Sequence, residues 1–160
     1  MITPQERAWL DQQDTHVAQT IRKFGLHLTY VSGGQAGVPP AFAYTTGLFG
    51  CGHPELVVLS LNPQTAARLL NDLGGLIREG TDLVPGEVRA FEQWGHRVTV
   101  EELPNPGEIL FSANRHYQRP DEFSVPAYQL TYDDLGGRFP TEEGYSNPPN
   151  LQPRPGTWRA

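Results

Sequence analysis

The sequence predicts an α+β domain: a mainly antiparallel, strongly curved sheet or a partly open, split-barrel-like barrel, flanked by helices. Three observations predict it. Two stretches open on a capping residue followed by proline and continue at helical spacing. Five short stretches carry strand patterning. Around the second helix the order is strand, strand, strand, helix, strand, joined by glycine- and proline-rich links.

The first helix begins at Thr3-Pro4, with Glu6 completing a capping box, and Leu10, Val17, Ile21 and Phe24 mark a narrow apolar face that Gly25 ends. A face that narrow places the helix outside the sheet. Residues 26–32 alternate as a strand and lead into the loop "GGQAGVPP". In the strand 42–48, Phe42, Tyr44, Thr46 and Leu48 share one face, and the small Ala43, Thr45 and Gly47 leave the other open to close packing. "LVVLSL" (56–61) lacks polar alternation, as a strand covered on both sides does. Asn62-Pro63 starts the second helix, which buries Ala66, Leu69, Leu70, Leu73 and Ile77 and stops at Gly80. Residues 81–95 read as a turn-rich linker, 96–103 as a strand and 107–117 as a short helix. A last strand covers 125–134, with Pro126 at a sheet edge or at the strand's own beginning. Residues 136–160 are irregular and proline-rich, a strap that packs over the domain or stays mobile; Arg138 is expected to fix it by pairing with a carboxylate or with carbonyls.

At 160 residues the chain forms one domain, 1–160, able to bury a core without disulfides. A formal net charge of −6 argues against sequence-independent nucleic-acid binding and against an anionic membrane partner. Cys51 is the only cysteine, so there is neither an intrachain disulfide nor a Cys-rich zinc site. The N-terminus lacks the basic and apolar regions of a secretory signal and no apolar run approaches a membrane span, from which a soluble, cytoplasmic protein is expected.

Chemistry concentrates in two places. In "GLFGCGHPEL", His53 is a candidate proton donor or acceptor and Glu55 a candidate catalytic carboxylate. The His-x-Glu spacing matches half of the zinc deaminase signature, but one cysteine cannot supply the other half. His27, His96 and His116 do not sit at ligand spacing, so no metal centre is assigned. Gly47, Gly50 and Gly52 make the segment a tight connection first and a pocket rim second. A buried Glu55 needs a cationic or hydrogen-bonding partner, with Arg115 or Arg138 the foremost candidates. In "NRHYQRP", Arg115 and Arg119 share a face if the helix continues and grip an anion; the competing reading is a solvated helix end. Tyr44, Thr45, Arg115, Tyr117 and Arg138 are the candidate ligand-binding residues.

Phe42-Ala43-Tyr44-Thr45-x-Gly47-Leu48, His53-Pro54-Glu55-Leu56, Leu69-Leu70-Asn71-x-Leu73, Gln129-Leu130 and Gly137-Arg138-Phe139-Pro140 together resemble the mainly bacterial domain-of-unknown-function family 4262, from about Gly25 to Tyr145. The resemblance implies domain extent and motif positions, and no activity or cofactor. The chain departs from the family pattern at Tyr132, Asp133 and Thr141. Three readings stay open. One is an enzyme or binder of a small anionic ligand, with a pocket at the end of the 42–48 strand lined by Tyr44, Thr45, His53 and Arg115. The second is a non-catalytic protein-interaction module. The third, from element order alone, is a flavin-binding split barrel.

Overall fold

The computed structural model describes residues 1–160. Helix α1 spans Pro4–Phe24; its N-cap Thr3 accepts the Glu6 N–H while the Glu6 carboxylate takes the Thr3 N–H. Strands β1 (His27–Val31), β2 (Phe42–Thr46) and β3 (Glu55–Leu59) form an antiparallel run. Helix α2 covers Pro63–Arg78, with the Asn62 side chain capping the Thr65 N–H. Next come β4 (Val88–Phe91), β5 (Trp94–Glu102), α3 (Phe111–His116) and β6 (Ala127–Tyr132).

These strands make one six-stranded sheet in the order β1-β2-β3-β6-β5-β4. All pairings are antiparallel except β3 with β6, so the sheet is mostly antiparallel, and it is open, with β1 and β4 at its edges. The expected linker 81–95 therefore contains an edge strand. Val88 and Ala90 are exposed and Arg89 and Phe91 half-buried, so β4 carries only a four-residue alternation behind the turn signal of Pro85-Gly86. The last strand is not an edge: β6 lies between β3 and β5, and Pro126, lacking an N–H, sits just before it.

The two faces of the sheet carry separate cores. On one, α2 sets Leu69, Leu70, Leu73 and Ile77 against Ala43, Leu56, Val58, Val98, Val100 and Leu130. Ala43 lets the helix approach, as the small face of β2 requires. On the other, Phe42, Tyr44, Val57 and Leu59 pack under Leu110, Ala113, Val125 and Trp158. Gly74 serves the first core: a Cβ there would stand 2.8 Å from the Leu26 side chain. Of α1, only Val17 is buried, and the helix lies beside α3 and β1.

The C-terminal segment packs as a strap. The Gln152 side chain pairs with both main-chain groups of Tyr132, at 2.9 Å and 3.0 Å, like one more rung of the ladder. Arg138 is not what fastens it. Its guanidinium lies over Gly144, while Arg154 pairs with Glu101 and Arg97 lies over the Phe139 ring at 5.1 Å. No helix is long and apolar enough to cross a membrane.

Candidate functional site

The end of β2 turns through Gly47 at φ +131, where a Cβ would also press to 3.0 Å from the Gly25 carbonyl oxygen. That turn points successive N–H groups at one spot. Glu55, fully buried, occupies it: its carboxylate accepts from the N–H groups of Gly47, Leu48 and Phe49 at 3.0–3.1 Å and from the Thr45 hydroxyl at 2.7 Å. Each oxygen receives two donors. The expected arginine partner is thus replaced by a backbone nest, which neutralises a buried carboxylate without placing a second charge beside it. Burial still pushes the Glu55 carboxyl above the ordinary carboxylate value, against the downward pull of the four donors.

His53 is likewise bound by main chain. Its Nδ1 donates to the Pro54 carbonyl at 2.7 Å and its Nε2 accepts the Leu83 N–H at 3.1 Å, which occupies both ring nitrogens. The ring packs edge-on to Tyr128, on the α2 side of the sheet. Arg115 lies on the other side, with α3, so these two residues do not share a cavity; Nε of Arg115 donates to Asp14 on α1 at 3.0 Å. Arg119 does not continue a helical face with it either. The helix ends at His116, Gln118 takes φ +55, and the Arg119 guanidinium lies over Phe49 at 5.3 Å. Thr45 is spent on Glu55 and on the Leu56 N–H. Tyr117 accepts the Gly50 N–H at 3.1 Å, and burial, then the Glu55 charge, pushes its phenol up to about 12. Arg138 sits in the turn after β6, away from these groups.

The structure does assemble polar groups under α1, around Tyr44 and Arg115. His27 pairs across the strands with Thr46, and Thr29 with Tyr44, so all four share one face of β1-β2. The Tyr44 hydroxyl accepts the Ser112 N–H of α3 at 3.1 Å; burial, offset by that bond, by Thr29 and by nearby Arg115, raises its pKa. From α1, the His16 ring stands 5.6 Å from that of His27. Three buried polar atoms on this face, His27 Nδ1, Thr29 Oγ1 and Thr46 Oγ1, have no well-formed hydrogen bond. Thr46 is fully buried. Sequence reasoning grouped Tyr44 and Arg115, but in a pocket at the end of the 42–48 strand with Thr45 and His53, and missed Thr29, Thr46, His16 and Asp14; one available signal was that His27 and Thr29 are polar on the strand face turned toward a helix.

Burial first, then His16 and His116, lowers the His27 pKa from 6.5. The folded protein therefore resists a proton that the unfolded chain accepts, and stability falls as pH drops below about 6.5 toward the lowered value. In His27→Gln this component is absent. The stability advantage of wild type over His27→Gln, measured by urea unfolding, is expected to shrink between pH 7.5 and pH 5.5; a difference constant with pH would contradict the assignment. No group of three or more His, Cys, Asp or Glu side chains is arranged to hold a metal ion.

Fold and site together define an α+β domain whose open sheet carries a polar layer beneath its first helix. The chain belongs to the family described as a domain of unknown function, DUF4262, whose model matches residues 20–146. No curated protein and no solved structure matches it.

Proposed function

We propose that the protein binds a small anionic molecule in the polar layer between α1, α3 and the β1-β2 pair. The observation that carries this reading is the pair of unpartnered buried atoms at His27 and Thr46, beside Thr29, whose hydroxyl meets only that of Tyr44. A buried polar group without a partner costs about 1–3 kcal/mol, and such groups gathered on one face describe a surface prepared for something else to bond. Around it stand Arg115, His16 and His116; of the three acidic residues of α1, Asp14 pairs with Arg115. Tyr44 supplies a hydroxyl at the same face, and Glu55 and Thr45 hold the strand end that presents Thr46. In this reading His53 is a positioning residue, holding the loop at Leu83 to the β3 entry.

Thr46→Val separates ligand binding from architecture. It replaces an unpartnered hydroxyl with a methyl of similar volume, so the free protein is expected to be as stable as wild type or about 1 kcal/mol more stable. Inorganic phosphate should raise the wild-type melting temperature and should lose most of that effect in the variant. A variant that melts lower than wild type, or responds equally to phosphate, would remove the basis of the reading.

A further inference from the structure

The polar layer beneath α1 is closed. The unpartnered atoms of His27 and Thr46 are sealed from solvent, and Thr46 as a whole is fully buried, so no molecule reaches them while the element above stays in place. That element is α1, whose His16 ring meets the ring of His27. Opening the layer therefore means moving this helix.

For its length α1 is lightly held. Over 21 residues only Val17 is buried, and every residue from Met1 to Trp9 is exposed. A helix draws most of its stability in a protein from packing, so a face with one buried side chain fastens it weakly. Its two ends differ. At the C-terminal end the Arg78 guanidinium donates to the Phe24 carbonyl at 3.0 Å, and the chain turns through Gly25, at φ +84, into β1. That end is the pivot. Further toward the N-terminus, Leu10, Asp14, Val17 and Ile21 share the stripe turned to the domain, and Asp14 stands where that spacing calls for an apolar side chain.

The Asp14 carboxylate accepts instead from Nε of Arg115 on α3, at 3.0 Å. The two side chains are 34% and 35% exposed, so dissolved anions reach the pair, and a pair this exposed contributes little to stability. The same guanidinium lies near the Tyr44 hydroxyl in the layer below. Arg115 thus belongs both to the fastening of α1 and to the layer that α1 covers.

We propose that α1 is the lid of the anion site and that Asp14 is the internal anion holding it shut, an inference that rests on reading the layer as an anion site. A small anion exchanging with Asp14 on Arg115 releases the helix, which swings about Gly25 and opens the way to Thr46 and His27. Asp14 is then autoinhibitory. The closed fraction of the molecules lowers the apparent affinity in proportion, and removing the internal competitor restores it.

Asp14→Asn removes the competing charge without shortening the side chain, and Asp11→Asn removes the same charge from an exposed position of the same helix. Hydrogen exchange over residues 4–20, read by mass spectrometry, and the melting temperature titrated with inorganic phosphate are compared for wild type and both variants. Asp14→Asn should exchange faster than Asp11→Asn in α1 and no faster in the sheet. It should also bind phosphate about threefold to fivefold tighter, the worth of one exposed ion pair. In wild type, saturating phosphate should speed exchange in α1 while raising the melting temperature. Equal α1 exchange in the two variants, or α1 exchange in wild type that phosphate leaves unchanged, would overturn the lid. Phosphate that stabilises all three proteins equally overturns the lid and leaves the anion site standing; phosphate that stabilises none overturns both.

Discussion

Glu55→Ala is expected to lose about 3–5 kcal/mol of stability, a large share of what a domain of this size possesses. The carboxylate is the common partner of three N–H groups and one hydroxyl, all buried or half-buried. Removing it leaves those donors facing each other in a site that water does not reach, and the turn at Gly47 loses what holds it open to β3. Glu55→Gln should recover little. An amide offers one accepting oxygen, and its NH₂ would meet two of the same donors head-on, so most of the loss should remain despite nearly identical shape. Equilibrium urea unfolding of the three proteins measures this. A Glu55→Gln variant within about 0.5 kcal/mol of wild type would show that the nest does not depend on the negative charge. A catalytic role for Glu55 would show the reverse pattern, lost activity at preserved stability.

Much of the fold was legible because its local signals agree. Thr3-Pro4-x-Glu6 and Asn62-Pro63 fix the starts of both long helices to the residue, since each cap satisfies orphan N–H groups by a bond that sequence spacing alone specifies. Strand β3 was legible as central because a run without polar alternation has no solvated face. The pairing of β3 with β6 was not. It depends on a contact between segments some seventy residues apart, and nothing in either strand distinguishes a parallel neighbour from an antiparallel one. Strand β4 escaped because an edge strand needs only one partner and little apolar content.

The candidate site was half legible. Glu55 was marked as a carboxylate entering an apolar strand, so its need for a partner followed from physics. The partner's identity did not: turn N–H groups carry no sequence label, whereas arginines do. His53 and Arg115 were grouped because each is chemically conspicuous, yet the alternation that puts Tyr44 on one face of β2 and Thr45 on the other already divides that region between two cores. Thr46, by contrast, is conspicuous only once its surroundings are known.

The strap offers the second large effect, and Trp158 is where it is concentrated. Its ring packs against Phe42 at 5.1 Å, its indole N–H donates to Gln129 Oε1 at 3.0 Å, and its carbonyl accepts from Asn105. Gln129, buried in the central strand β6, returns the contact by donating to the Pro153 carbonyl at 2.9 Å. One buried amide of the sheet is thus satisfied wholly by the strap. Trp158→Ala should cost about 3–5 kcal/mol, because it opens a cavity over Phe42 and orphans the Gln129 oxygen. Trp158→Phe retains most of the apolar contact and removes only the donor, so its loss should be smaller, about 1–3 kcal/mol. Combining Trp158→Phe with Gln129→Leu tests the link: if the cost lies in an unpartnered amide, the double variant should be more stable than Trp158→Phe alone, since the buried polar group is gone as well. Urea midpoints for the four proteins decide it. Trp158→Ala at wild-type stability, or proteolytic removal of residues 147–160 without change in the melting temperature, would mean that the strap rests on the sheet without holding it.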